Sequence, residues 1–284
     1  ARYNPTAKAP RFIQFMNEIF DDSQVKNVAR VDSITDKKRD TGDRIKVIGE
    51  MMGYSLLTNT KHERFIMLIG AGSNGKSVLL STLQDLCGRH NCSAVNPSLL
   101  SDRFNRAHIA GKLANIVTEI SEGAQLPDAE IKAIVSGEEI TAEQKHKDPF
   151  EFKPFCTIWI GTNHLPHTRD FSEAMLRRVI IVPFNRIFDE KSKDINLIQK
   201  LAEEREGILN FVLEHLLRLE LQGTFTVPES SKRLAAFWKK QVDQVADFIE
   251  ECCESDPTSM TLSRELYEAF INWTKECGIR QPLV

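Results

Sequence analysis

The run Gly70-Ala71-Gly72-Ser73-Asn74-Gly75-Lys76-Ser77 sets glycines, a lysine and a hydroxyl in the pattern G-x-x-x-x-G-K-S. Residues of those types can cradle phosphate. Glycine lets the loop curl so that backbone N–H groups, up to that of Val78, converge on phosphate oxygens, and a following helix adds partial positive charge. Lys76 is then expected to reach the β- and γ-phosphates, and the Ser77 hydroxyl to ligate Mg²⁺. The pattern could also arise in an ordinary glycine-rich turn, so its flanks matter. Before it lies the short apolar run Phe65–Ile69; after it Val78, Leu79, Leu80, Leu83 and Leu86 recur at helical spacing. Strand, loop and helix in that order make a P-loop, and the sequence predicts ATP with Mg²⁺ as its ligand.

A P-loop does not by itself choose between kinases, motors and remodellers, so the residues after it carry the next step. Residues 113–118 read as a buried strand with Glu119 at its carboxyl end, where ligands of open α/β sheets sit. A carboxylate there can hold the hydration shell of Mg²⁺ or orient an attacking water. Glu122 is a second candidate for the same work. A strand over residues 157–161 ends in Thr162-Asn163, and an amide beside the γ-phosphate can hold a water without adding charge. Arg177 and Arg178 precede the apolar run Val179–Pro183. Two arginines entering a buried strand cannot both be buried unpaired, so one is expected to meet a carboxylate or a γ-phosphate of a neighbouring subunit. Residues 140–152 read as a β-hairpin whose tip gathers Lys145, His146 and Lys147, either as an exposed charged turn or as a contact for nucleic-acid phosphates.

These residues need a scaffold, and 284 residues can supply one with a sizeable core. At 41% hydrophobic and 27% charged, with formal net charge -3, the chain is not basic enough to coat nucleic acid over its whole surface. No apolar run approaches a membrane span, and the first residues lack a signal-peptide core, so a cytoplasmic protein is expected. Six cysteines occur without a C-x-x-C pair, which fits reduced, structural thiols; Cys87, His90 and Cys92 lack a fourth metal ligand. Residues 11–57 read as two helical runs, the first with Phe12, Phe15, Met16, Ile19 and Phe20 on one face, and residues 36–40 as a solvated loop or helix end between them. Residues 194–221 read as helix broken near Gly207, 223–228 as a linker, and the remainder as a long helix with Leu234, Phe237, Val242, Val245, Phe248, Ile249 and Cys252 along one face, followed by another over 262–277. The expected fold is α/β: a P-loop core with a parallel sheet over 64–222, an N-terminal helical segment over 1–63, and a mostly helical, winged-helix-like domain over 223–284. That last domain is expected to be incomplete, since no closing element follows Pro282-Leu283-Val284.

In order and spacing, several stretches together resemble the superfamily-3 helicases, an AAA+ ATPase class of viruses, phages and plasmids, and more narrowly the helicase part of poxvirus-type primase–helicases. They are Tyr54 with the P-loop, Glu119-Ile120-Ser121-Glu122-Gly123, Ser136-Gly137-Glu138, Ile140-Thr141-Ala142, Phe150-Glu151-Phe152-Lys153-Pro154, and Gly161-Thr162-Asn163-His164-Leu165-Pro166 through Arg177-Arg178 to Pro183-Phe184. The resemblance implies that Lys76 and Ser77 bind ATP·Mg²⁺, that Asn163 is the sensor, and that Arg178, or second to it Arg177, acts in trans. It implies a hexamer whose central hairpins, with Lys145 to Lys147, grip single-stranded or forked DNA. Other branches of that class place two adjacent acids after the strand; here Thr118-Glu119 and Ser121-Glu122 separate them, leaving metal binding and water activation to be divided between the two glutamates, with Glu119 the first choice for Mg²⁺. The expected function is ATP-driven DNA unwinding in replication of a phage, plasmid or integrated element, with a primase domain or protein as a possible partner. The rival readings are an AAA+ ATPase that remodels or packages DNA, a P-loop small-molecule kinase, and an ATP-locked scaffold without turnover.

Overall fold

A computed structural model of the chain describes residues 3–23, 34–168, 172–189, 193–242, 244–254, 256 and 258–277. Its helices are α1 (Pro10–Ile19), α2 (Ile34–Tyr54), α3 (Lys76–Cys87), α4 (Arg103–Arg106), α5 (Asp128–Ser136), α6 (Glu173–Leu176), α7 (Leu197–Glu203), α8 (Arg205–Gln222), α9 (Glu229–Val242), α10 (Gln244–Cys252) and α11 (Ser263–Glu276). Its strands are β1 (Phe65–Ile69), β2 (Cys92–Ser93), β3 (Ala114–Val117), β4 (Ile140–Ala142), β5 (Phe150–Phe152), β6 (Thr157–Thr162) and β7 (Val179–Pro183). Five of them form a parallel sheet in the order β2-β3-β6-β1-β7, while β4 and β5 pair as a separate antiparallel hairpin.

The sheet is buried on both faces, which is why its strands read as continuous apolar runs. Along β1, Ile66 and Leu68 enter a core shared with α1, α2, α3 and α8, whereas Phe65 and Met67 enter a second core shared with α5 and Trp238 of α9. The same alternation runs along β7, with Ile180 and Val182 on the first side and Val179 and Ile181 on the second. In register, Phe65 pairs with Val179 and Ile69 with Pro183, so every parallel strand carries its carboxyl end to one edge.

The expected strands appear within a residue of their predicted ends, and the structure adds the two-residue strand β2 at the sheet's margin. Several helical expectations change. Residues 37–40 lie in the first two turns of α2, the helix-end alternative: Lys37, Lys38 and Arg39 face solvent, while Asp40 is buried, accepting from Ser230 N at 2.8 Å and lying 3.1 Å from Arg44 Nε. The break expected near Gly207 falls at Glu204. Gly207 sits inside α8, where the Lys8 backbone lies so close that a Cβ has no room. Glu204, half-buried between α7 and α8, caps α1, its carboxylate accepting from Arg11 N (3.0 Å) and Phe12 N (2.9 Å). The long C-terminal helix is two helices, α9 and α10, and Phe237, expected on the buried face, is 51% exposed. Trp238 is buried in its place, with Nε1 donating to Pro166 O at 2.8 Å. Among the described residues beyond 222 there are helices and no strand. Residues 24–33 of the predicted helical entry and the terminal 278–284 lie outside the described residues. No helix among the described residues is long and apolar enough to cross a membrane.

Candidate nucleotide site and arginine edge

At the carboxyl edge of the sheet, β1 runs into the loop 70–75 and the loop into α3. Gly72 (φ 102°) and Gly75 (φ 88°) take left-handed backbone, and Ser73 (φ 49°) follows them there at a conformational cost a non-glycine residue seldom meets. Gly75 has a second reason to be glycine: a Cβ would lie 2.6 Å from Ile19 Cγ2. The loop is tied to the exit of β7. Phe184 N donates to Ile69 O (2.6 Å), Phe188 N to Ser73 O (2.8 Å), and Asn74 Nδ2 to Phe184 O (3.2 Å).

Lys76 lies almost wholly buried beneath this loop. Its ammonium donates to Gly70 O (2.6 Å), Asn74 Oδ1 (2.8 Å) and Asn163 Oδ1 (3.3 Å). Three acceptors match the three donors of an ammonium. Burial pushes its pKa down, and the negative charge of Glu119 partly offsets that push. The three oxygens that touch the ammonium are neutral, so among the described residues the only opposing charge acting on it is that of Glu119. The cavity in front of it, about 450 Å³, is bounded by the P-loop, Ser77, Glu119 and Asn163. Ser77, Glu119 and Asn163 are all open to it.

The two glutamates separate. Glu119 follows β3 and lines both this cavity and an adjoining cleft of about 420 Å³; Glu122 lines only the cleft, with Asn96 and His164. Buried Ile120 between them anchors the turn. Asn163 leaves β6 at the same edge, its turn fixed by Thr162 Oγ1, which accepts from His164 N (3.1 Å) and donates to His164 O (2.7 Å). The sequence also concealed an apolar wall beside the P-loop: Phe15 of α1, Phe188 and Leu197, flanked by Arg11 and Glu18, which pair at 3.2 Å. Helical periodicity marked Phe15 as inward-facing; it could not say that inward meant this cavity.

The arginines lie at the opposite, amino edge of the sheet, just before β7. Arg178 turns into its own chain, donating to Glu63 Oε2 (2.8 Å), Ser136 Oγ (2.9 Å) and Ala174 O (2.9 Å). Arg177 is exposed. The residue ranked first for reaching a neighbour is thus engaged internally, and its neighbour in sequence points out.

The basic turn sits on the β4–β5 hairpin, away from both edges' cores. Lys145, His146 and Lys147 are exposed, Lys147 N donates to Gln144 O at 2.9 Å, and His146 adopts φ 64°. Arg103 of α4 braces the hairpin's first strand through Glu143, Nε to Oε2 at 2.8 Å.

Known proteins resemble this chain along most of its length. A family model described as a family of unknown function (DUF5906) matches residues 68–178, the stretch from β1 to Arg178. A protein of Acanthamoeba polyphaga mimivirus named "Putative helicase L207/L206" is 25% identical over 251 residues, covering 77% of this chain and 25% of that one. One of Frog virus 3 (isolate Goorha) named "Putative helicase 022R" is 25% identical over 232 residues, covering 72% of this chain and 24% of that one. The chain therefore spans about a quarter of the length of these relatives. Among solved structures, the apo C-terminal region of NrS-1 superposes with a TM-score of 0.60 at 17% identity, covering 87% of this chain and 55% of that one. The chain thus has the α/β fold of that region and is similar in sequence to viral proteins named as helicases.

Proposed function

We propose that this chain is the motor part of an ATP-driven DNA helicase that works as a ring, expected to be a hexamer, on single-stranded or forked DNA. The observation that carries the reading is the convergence of Lys76, Ser77, Glu119 and Asn163 on one cavity at the carboxyl edge of the sheet. The similarity to viral proteins named as helicases supports unwinding over small-molecule phosphorylation. Mg²⁺ would be held by the Ser77 hydroxyl and, through water, by Glu119; it would supply charge neutralisation at the phosphates. The P-loop amides and Lys76 would bind the phosphate chain, and Phe15, Phe188 and Leu197 would cover the base. Glu119 would take a proton from the attacking water, with Asn163 holding that water in line. An arginine of the adjacent copy would complete the site, and Lys145 and Lys147 would follow the DNA backbone. Replication of a phage, plasmid or integrated element is the setting this reading fits, with a primase as possible partner.

The test is ATP turnover of the purified chain with and without single-stranded DNA, followed by strand displacement on a fork. Turnover stimulated by DNA, with unwinding, is expected. Turnover without DNA stimulation or unwinding would move the reading to a remodelling ATPase, and binding without turnover to a scaffold.

A further inference from the structure

Arg44 of α2 is 1% exposed and does not line the nucleotide cavity. A guanidinium buried to that degree needs acids and acceptors around it. Asp22 and Asp40 provide the charge: Nη2 lies 2.5 Å from Asp22 Oδ2, and Nε 3.1 Å from Asp40 Oδ2. Further bonds go to backbone, Nη2 donating to Phe20 O (3.3 Å) and Nη1 to Pro183 O (3.3 Å). The Phe20 ring lies 5.1 Å from the guanidinium and meets the Phe184 ring edge-on at 5.0 Å. One side chain thus joins the residues after α1, the body of α2 and the last residue of β7.

The residues that leave β7 are the ones that hold the P-loop. Phe184 O accepts from Asn74 Nδ2 at 3.2 Å, which sets the other end of that amide, Oδ1, 2.8 Å from Lys76 Nζ. An amide has one donor end and one acceptor end, so the Phe184 carbonyl decides which of them Lys76 meets. Gly70 packs on the same carbonyl so closely that a Cβ would lie 2.5 Å from it. Asn185 Nδ2 donates to Asp22 Oδ2 at 3.2 Å, so the carboxylate that grips Arg44 grips this segment too. A second buried network on α2 provides the contrast. Glu50 is fully buried and accepts from Thr226 N (2.8 Å), Thr226 Oγ1 (2.9 Å) and Arg218. These partners belong to α8 and the residues that follow it, not to the exit of β7.

We propose that Arg44 is a positioning residue for the nucleotide site: holding Pro183 O and Asp22, it fixes the exit of β7, and through Phe184 and Asn74 it fixes Lys76. It touches neither nucleotide nor reacting atoms. The proposal rests on the reading that the cavity binds ATP and adds to it what sets the lysine's place.

The experiment uses the full chain as wild type, Arg44→Lys, Asn185→Ala, Glu50→Gln, Asn74→Ala and the double variant Arg44→Lys/Asn74→Ala. Melting temperature is measured beside affinity for a fluorescent ATP analogue with Mg²⁺, taken well below every melting transition. Arg44→Lys keeps a cation between the two aspartates but loses the fork that also reaches Pro183 O. It should melt below wild type and bind the analogue about tenfold or more weakly. Glu50→Gln should also melt lower, yet bind within about twofold of wild type, because its network shares no partner with the loop. Asn185→Ala, at a half-buried position, should lose about threefold in affinity with little change in melting. In the double variant the loss should fall short of the product of the single losses, since both residues act through Phe184. Wild-type affinity in Arg44→Lys, an equal loss in Glu50→Gln, or full multiplication in the double variant would each overturn the proposal. Should Arg44→Lys not fold, unchanged affinity in Asn185→Ala overturns it alone. A wild-type chain that does not bind the analogue would overturn the nucleotide reading beneath it as well.

Discussion

The P-loop cavity and the hairpin tip both present lysines, and they hold them in opposite ways. Lys76 is 6% exposed, with three oxygens at 2.6 to 3.3 Å fixing its ammonium. Lys145 is exposed with no ion pair among the described residues, and the ammonium of Lys147 touches only Gln144 Oε1, at 2.7 Å within the same turn. A desolvated, preorganised cation can favour one arrangement of charge on a transferring phosphoryl group. Solvated cations on a turn act instead by summed attraction to a phosphate backbone, which salt screens. One region suits chemistry at a defined atom, and the other suits contact with a polymer that must be gripped and released.

The largest effect expected is that of Lys76→Ala. It should abolish ATP turnover, by about 10²–10³-fold or more, while the melting temperature changes little. The fold should survive because Asn74 Oδ1 keeps Gly72 N (3.1 Å) and Asn74 Nδ2 keeps Phe184 O, so the loop remains tied down. Turnover near wild type in a folded Lys76→Ala protein would erase the contrast between the two regions.

The next effect divides the glutamates. Glu119→Gln should lose most turnover and keep nucleotide binding, since Glu119 faces the same cavity as Lys76 and Ser77, whereas Glu122→Gln should lose less because Glu122 opens only on the adjoining cleft. Single-turnover hydrolysis and analogue binding separate the two outcomes. An inactive Glu122→Gln beside an active Glu119→Gln would reverse the assignment.

What the chain made legible follows how far apart the deciding residues lie. The P-loop is eight adjacent residues, and its flanking strand and helix are local patterns, so both were readable and both appear. The division between Glu119 and Glu122 was open in sequence, because only two residues separate them and buried Ile120 aims the turn. The orientation of the two arginines was not readable because it is set from afar: Glu63 and Ser136 lie 115 and 42 residues from Arg178 in the chain. In α9 the apolar face was drawn through Phe237, yet the acceptor at Pro166 O, 72 residues away, favours Trp238 with its indole N–H. The wall formed by Phe15 and Phe188 stayed hidden for the same reason: periodicity reports that a face is apolar and is silent about its neighbour.

At the hairpin the expected change is in affinity and salt response. Replacing Lys145 and Lys147 together with Ala should weaken single-stranded DNA binding and reduce the slope of log K against log salt by about 1.4, at roughly 0.7 per lost contact. Basal ATP turnover should persist, because neither lysine lines the nucleotide cavity, while DNA-stimulated turnover and unwinding should fail. Titrations at several salt concentrations, rather than one affinity, check this. An unchanged slope would return the tip to an ordinary solvated turn.

The smallest effect expected, and the one that tells shape from charge at that tip, belongs to His146. Its backbone is left-handed at φ 64°, a conformation glycine adopts freely and a β-branched residue resists. His146→Gly removes the ring and keeps the turn. It should change DNA affinity by less than about threefold, through lost stacking or hydrogen bonding, and leave the salt slope intact because no phosphate contact is lost. His146→Val removes the ring as well, but places a branched side chain where it costs about 1–2 kcal/mol, so the turn that spaces Lys145 from Lys147 should reshape. If the lysines grip the backbone as a spaced pair, Val at this position should lower affinity more than Gly does, although both lack the imidazole. Equal losses in the two variants would assign the contribution to the ring itself, and the tip would then read bases by stacking more than phosphates by charge.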